Sequence, residues 1–332
     1  METVKYEFLL EAAEPVAHHA ESLGNEAILM RRKVRLRDGA IANIPCITGD
    51  TMRHGMREAA AYAMLDAAGV PEGGLSEAAL RLLFAGGMVT GSNDGAIRLE
   101  EFREMCDLIP TMALFGGCAR NRVIPGRLRV SDGTLVCRET WHCLPPWARS
   151  WCGSAADEAP SSVESQRLYV EEVQRVRMDP TLDPGKRKLL SAAGRDGAEN
   201  RLLASEAASA DGDARGKEGA KSSAMPRRFE RLIQGSLFYW RVEADVYSDL
   251  DRDTLNVAVA SFLYSARVGG KRGTGHGLLR AVAAQHATLA RAADRGQALD
   301  TEGLASSAGT LFRAHVAERS ERIRKFLSNI DA

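Results

Sequence analysis

Residues 269–277 read Gly269-Gly270-Lys271-Arg272-Gly273-Thr274-Gly275-His276-Gly277, five glycines in nine positions with no acid among them. Glycine lets backbone N–H groups come close to an anion, and Lys271 and Arg272 supply the charge that a phosphate attracts. The chemistry this pattern serves is anion binding, with a plain flexible turn as the alternative. Two more basic clusters accompany it. Over residues 31–57, Arg31, Arg32, Lys33, Arg35, Arg37, Arg53 and Arg57 stand against only Asp38 and Asp50. Over residues 119–129, Arg120, Arg122, Arg127 and Arg129 stand without an acid.

No global field backs these clusters. The 332 residues carry 44 basic and 44 acidic side chains, so the clusters imply a basic surface offset by acidic faces, or unrelated solvated faces. A hydrophobic content of 45% and a charged content of 27% are those of an ordinary globular protein, long enough for one large domain or two smaller ones. Met1-Glu2-Thr3-Val4-Lys5-Tyr6 has no apolar leader character, and no apolar run reaches membrane-span length. The expectation is a cytoplasmic protein without membrane contact, its six cysteines reduced. Cys137, His142, Cys143 and Cys152 contain no C-x-x-C pair and match no common zinc spacing, so neither metal nor cofactor is expected.

The elements that must position these residues follow from periodicity. Residues 4–10 alternate and then become continuously apolar, as a sheet strand does. Residues 25–45 read as a basic loop. A helix is expected from Asp50 to Asp66, capped by Asp50 or Thr48, with Met52, Met56, Ala59, Ala60 and Ala63 on one face and Arg53 and Arg57 together on another. Residues 111–138 read as a turn-rich segment followed by a strand. From Asp179 to Ala224 aromatics vanish and Gly, Ala and Ser dominate, which reads as a mobile insertion. A strand returns at Leu237–Ala244, a helix at Asp253–Arg267, a strand at Leu278–Ala284 and an amphipathic helix at Ser307–Leu327.

That order suits an α+β fold with a ferredoxin-like core. A dinucleotide-binding fold is excluded because the glycines follow a helix and precede a strand, the reverse of what that site requires. No G-x-x-x-x-G-K-[ST] segment is present.

Three segments occur in a known order. Ile44-Pro45-Cys46-Ile47-Thr48-Gly49-Asp50-Thr51-Met52-Arg53-His54-Gly55-Met56-Arg57 resembles the "I-P-x-x-S-x-x-G-x-x-R" segment of the RAMP superfamily of CRISPR proteins. Leu114-Phe115-Gly116-Gly117, followed by Pro125-Gly126-Arg127-Leu128-Arg129-Val130-Ser131-Asp132, resembles that superfamily's "L-F-G … G-x-L-x-V-x-D" segment. Residues 269–277 resemble its C-terminal glycine-rich loop. The trio spans about two-thirds of the chain. Arg31-Arg32 and His54-Gly55-Met56-Arg57 look most similar to the type IV backbone proteins.

The resemblance implies a ferredoxin-like (RRM-like) palm with finger insertions and a thumb insertion. It divides the chain into a first palm part with finger elements over 1–160, a thumb or mobile insertion over 161–228, and the rest of the palm with the Gly-rich loop and C-terminal helix over 229–332. It implies a backbone subunit that polymerises head to tail along guide RNA. Such a subunit holds phosphate and sugar and leaves the bases free to pair with a complementary target. Other CRISPR effector subunits are the implied partners.

On that basis Arg31, Arg32, Thr48, Arg53 and Arg57 are candidate RNA contacts, with N–H donors of the helix start beside them. Gly269, Gly270, Lys271, Arg272, Gly273 and Gly275 form the other wall of the groove. Arg120, Arg122 and Arg127 fit either the RNA groove or the next protomer. Asp38 lies where some type III relatives carry a metal-dependent RNA-cleaving aspartate, but its surroundings match that pattern poorly and Asp38-Gly39 reads as a turn. The expectation is therefore a non-catalytic scaffold. Its rivals are a guide-processing endoribonuclease of the same superfamily and a general RNA-binding module.

Overall fold

The structure is a computed structural model that describes residues 1–23, 25–87, 99–119, 122–178, 188–189, 191, 224–285 and 309–330. Its strands in chain order are β1 (Glu2–Ala12), β2 (His19–Leu23), β3 (Glu26–Leu29), β4 (Arg31–Arg35), β5 (Ile41–Ile47), β6 (Gly117–Ala119), β7 (Arg122–Ile124), β8 (Leu128–Val130), β9 (Gly133–Leu135), β10 (Val170–Met178), β11 (Ala224–Leu232), β12 (Leu237–Val246) and β13 (Leu279–Gln285). The α-helices are α1 (Gly49–Ala67), α2 (Glu77–Ala85), α3 (Leu99–Leu108), α4 (Pro110–Phe115), α5 (Pro146–Trp151), α6 (Asp249–Tyr264), α7 (Thr310–Glu318) and α8 (Ser320–Asn329).

Two split β-α-β units organise the first compact unit, which comprises 1–18, 30–170 and 232–332. β1 leads through α1 to β8 and β9, and β12 leads through α6 to β13. The strands interleave as β13-β1-β12-β9-β5-β4, with β8 also on β12, and the pairings in this sheet are antiparallel. The four core positions, β13-β1-β12-β9, reproduce the ferredoxin-like order, so the expected fold class holds.

β1 is apolar on both faces because both are covered. Phe8 stacks on Trp240, ring centroids 5.4 Å apart, and Trp240 meets Phe262 of α6 at 5.5 Å. Leu9 points the other way, into a cluster with Trp141, Leu144, Ala148 and Val163. α1 begins at Thr48, whose hydroxyl accepts from Thr51 N, and buries Met52, Met56, Ala60 and Met64 along one stripe. Gly55 makes the α1–α6 crossing close: a Cβ there would lie 2.7 Å from the Phe262 ring. The outer side of α1 joins α2, α3, α4, α7 and α8 around Leu82, Met105, Met112, Phe312, Val316 and Leu327.

Three expectations change. Residues 25–45 are strands, not a loop. β4 and β5 form a hairpin turned at Asp38-Gly39, where Ala40 N donates to Asp38 Oδ1 at 2.9 Å and Gly39 takes φ +88°. β4 sits at the sheet edge, where charged side chains face water and apolar alternation is not needed. The C-terminal helix is two helices, because Arg319 leaves helical geometry at φ −102°, ψ 9°. Residues 19–29, assigned from sequence to the first palm part, belong with 171–231 in the second compact unit, since β3 pairs in parallel with β11.

That second unit is a four-stranded sheet, β10-β11-β3-β2. Phe229 is its buried centre, met edge-on by His19 at 6.0 Å and covered by Arg175 at 5.6 Å. The expected insertion over 179–224 lies almost wholly outside the described residues.

Candidate nucleic-acid interface

The glycine-rich segment is a shaped arm. Val268 N donates to Gly277 O at 3.0 Å and closes its base, while a short 3-10 turn over Arg272–Thr274 forms its tip. Gly277, at φ +92°, has no room for a side chain: a Cβ would lie 2.1 Å from Val268 O. Gly269 is similarly tight against Ala17 O. Lys271 takes φ +61°, the single non-glycine with positive φ among the described residues. Gly273 and Gly275 face open space, and the Arg272 side chain is exposed beside them with its Nε 3.3 Å from Gly269 O. His276, by contrast, is buried and bonds Thr274 O through Nδ1 at 2.9 Å, a structural placement.

From this arm a run of short contacts reaches the edge strand. Gly270 N donates to Ala17 O at 2.8 Å. The next residue, His18, places Nε2 3.2 Å from Thr48 Oγ1 and accepts from Thr48 N at 3.3 Å. Gly49 N then donates to Asp132 Oδ1 at 2.7 Å, and Arg32 Nε donates to Asp132 Oδ2 at 2.9 Å. A run of hydrogen bonds through the buried Ala17, Thr48 and Gly49 thus links the Gly-rich arm to the start of α1 and to Arg32 of β4. Arg31 lies next to Arg32 on the same strand, opposite Pro45.

The start of α1 differs from the expectation of donors open to phosphate. Thr48 is buried, and the N–H groups of Thr48, Gly49, Thr51 and Met52 are all spent inside the protein. The anion that sits there is the protein's own Asp132, whose hydrogen bond also raises the Arg32 pKa above its ordinary value.

Arg53, Arg57 and Arg127 likewise meet acceptors of the protein itself. Arg53 donates to Leu128 O at 2.9 Å and to Phe115 O at 2.5 Å. Arg57 donates to Gly116 O at 3.0 Å and to Phe115 O at 3.1 Å. Both point inward from α1 and hold the Leu-Phe-Gly-Gly turn that ends α4. Burial lowers both pKa values, that of Arg57 to about 10. Arg127 forms a two-pronged bridge with Asp251, 2.7 and 2.6 Å, sends Nε to Ala113 O, and lies 4.9 Å over the Tyr247 ring. Each of these guanidinium groups donates to the protein's own carbonyls, and Arg127 also to a carboxylate, so all three take part in packing. Arg120 lies outside the described residues, and Arg122 is on β7 with its side chain outside them.

Sequence reasoning quoted Asp132 only as part of a motif and gave it no task. The one available signal was Ser131-Asp132-Gly133, a turn-type tripeptide following a short alternating strand. Glu7, a buried carboxylate in mid-strand, drew no notice either. Lys5, Trp147 and Tyr239 surround it, with Lys5 Nζ at 2.9 Å and Trp147 Nε1 at 3.1 Å.

No protein-family model matches the chain, and no curated protein matches it. Among solved structures it is similar to a chain titled "Type IV-B CRISPR Complex", with TM-score 0.50 and 17% identity over 90% of this chain and 96% of that one. At that identity the likeness is one of fold, and it runs nearly the full length of both chains. No helix among the described residues is long and apolar enough to cross a membrane.

Proposed function

We propose that this chain is a backbone subunit of a type IV-like CRISPR ribonucleoprotein, binding guide RNA through phosphate and sugar and stacking head to tail along it. The observation that carries this reading is the hydrogen-bonded run that links the Gly-rich arm, where Arg272 is exposed, to Arg32, exposed on β4. Exposed guanidinium groups hold phosphate whatever the base, which is what sequence-independent reading of a backbone requires. The full-length likeness in fold to a chain of a CRISPR complex, and the ordered RAMP-like segments, support the same reading.

The protein acts as a scaffold. Asp38 serves its own turn, accepting from Ala40 N, which favours that role over metal-assisted cleavage. Effector chemistry then belongs to other subunits, and the second sheet unit supplies thumb-like function. The test is purification from a cytoplasm expressing guide RNA. A large particle carrying nuclease-protected RNA at a constant ratio of nucleotides to protein is expected. An RNA-free monomer that fails to assemble on added RNA overturns the proposal.

A further inference from the structure

We infer that Asp132 is an internal counter-anion that masks Arg32, and that an RNA phosphate takes its place on the guanidinium when the chain binds. This rests on the RNA-binding reading of the surface.

Asp132 divides its two oxygens between different tasks. Oδ1 accepts from Gly49 N at 2.7 Å, pinning the turn after β8 to the start of α1. Oδ2 accepts from Arg32 Nε at 2.9 Å. The first contact is built in: Gly49 lies so close to this turn that a Cβ would sit 2.6 Å from Val130 O, so only glycine lets the carboxylate reach its N–H. Ser131 anchors the turn from the other side, with Ser131 N donating to Arg241 O and Arg241 N donating to Ser131 Oγ, both at 2.9 Å.

The second contact is of another kind. The Arg32 side chain is 51% exposed and that of Asp132 31%, so water reaches the pair. Exposed ion pairs are weak and exchange readily. Arg32 engages Asp132 through Nε, and a phosphate offers a guanidinium two oxygens in a fork. Exchange on Arg32 therefore needs no movement of the turn, because the Gly49 contact stays in place. Asp132 in this account is a positioning residue for Arg32 that limits how tightly the free surface holds polyanions.

Asp132→Asn tests this. Its amide oxygen still accepts from Gly49 N, while the charge that holds Arg32 is gone. With a mixed-sequence single-stranded RNA, the variant is expected to bind more tightly at low salt than the parent. The log–log salt slope should match the parent's, because the same phosphate sits on Arg32 in both complexes and the variant only spares the displacement of Asp132. In an Arg32→Ala background the same change should do nothing. Equal or weaker binding by folded Asp132→Asn overturns the inference. A parent protein that shows no salt-dependent RNA binding overturns the RNA reading itself and this inference with it. Should the variant not fold, nuclear magnetic resonance of the parent decides. The Arg32 Nε–H signal should move on RNA addition while the Gly49 amide stays, and a stationary Arg32 signal overturns the exchange.

Discussion

Arg57 and Phe115 are joined twice: the guanidinium lies 5.3 Å over the ring centroid, and its Nη2 donates to the Phe115 carbonyl at 3.1 Å. The carbonyl is one of those that α4 leaves open at its C-terminal end, where a cation is favoured. Arg57 thus finishes a short helix 58 residues away in sequence. Arg53 finishes it from the preceding turn of α1.

Arg57→Lys should therefore cost stability without altering RNA affinity. A lysine cannot reach Gly116 O and Phe115 O together, nor lie flat on the ring. The expected loss is about 2 kcal/mol, from one forfeited charged hydrogen bond and the stacking. Chemical denaturation gives the stability, and the salt slope for RNA should match the parent. A changed slope with unchanged stability would return Arg57 to the groove.

The Arg127–Asp251 bridge predicts a larger effect. Both side chains are mostly buried, 19% and 16% exposed, so removing one strands the other. Arg127→Ala should destabilise by about 3 kcal/mol. Changing Arg127 and Asp251 together should recover part of that loss. If the double variant is no more stable than the single, the coupling assigned to this pair is wrong.

Glu7 sets an acid limit. Burial pushes its pKa up from the ordinary 4.5, but bonds from Tyr239, Lys5 and Trp147 outweigh burial and leave it lowered. A carboxylate with a folded pKa below its unfolded one adds stability that is present above about pH 4.5 and lost as pH falls through the folded value. Asp251 is also lowered: burial raises its pKa, and the Arg127 bond overcomes that. Stability should fall as pH drops below about 4.5, and Glu7→Gln should flatten that fall. Parallel curves for the variant and the parent would remove Glu7 from the account.

Within the glycine-rich arm, individual glycines should respond differently. Gly277→Ala meets both a left-handed backbone and Val268 O, and should cost more than about 2 kcal/mol. Gly273→Ala meets nothing within 4 Å and has no positive φ, so it should stay within about 0.5 kcal/mol of the parent. Equal losses at both sites, read by thermal unfolding, would contradict the arm's geometry.

Lys271→Ala with Arg272→Ala should weaken RNA binding for every sequence alike and reduce the salt slope. Binding measured at several salt concentrations on two unrelated RNAs checks this. A loss confined to one RNA would argue against reading through the backbone.

What could be read from sequence divides along physical lines. The two split β-α-β units were visible because Phe8-Leu9-Leu10, Met52 to Ala63 and Leu237–Ala244 carry strong periodicity, which burial demands. Arg31-Arg32-Lys33-Val34-Arg35 concealed a strand, since an edge strand needs backbone pairing but no apolar alternation. Arg53 and Arg57 were placed on one helix face, as their spacing requires. Where that face points depends on carbonyls at 115, 116 and 128, and nothing local to α1 encodes it. Asp132 was hidden for the same reason: its partners, Gly49 and Arg32, lie 83 and 100 residues away.

The interleaving of the sheet also dictates a timetable. β1 lies between β12 and β13, which begin at Leu237 and Leu279, so neither partner exists until most of the chain has left the ribosome. At synthesis rates of about 5–20 residues per second, this largely buried strand waits roughly 10–50 s with both edges unpaired. β3, already paired with β2, waits for β11 on its other edge. Production in cells should therefore be limited by protection of the nascent chain, and raising holdase chaperone levels should increase the soluble yield more than stabilising the finished fold.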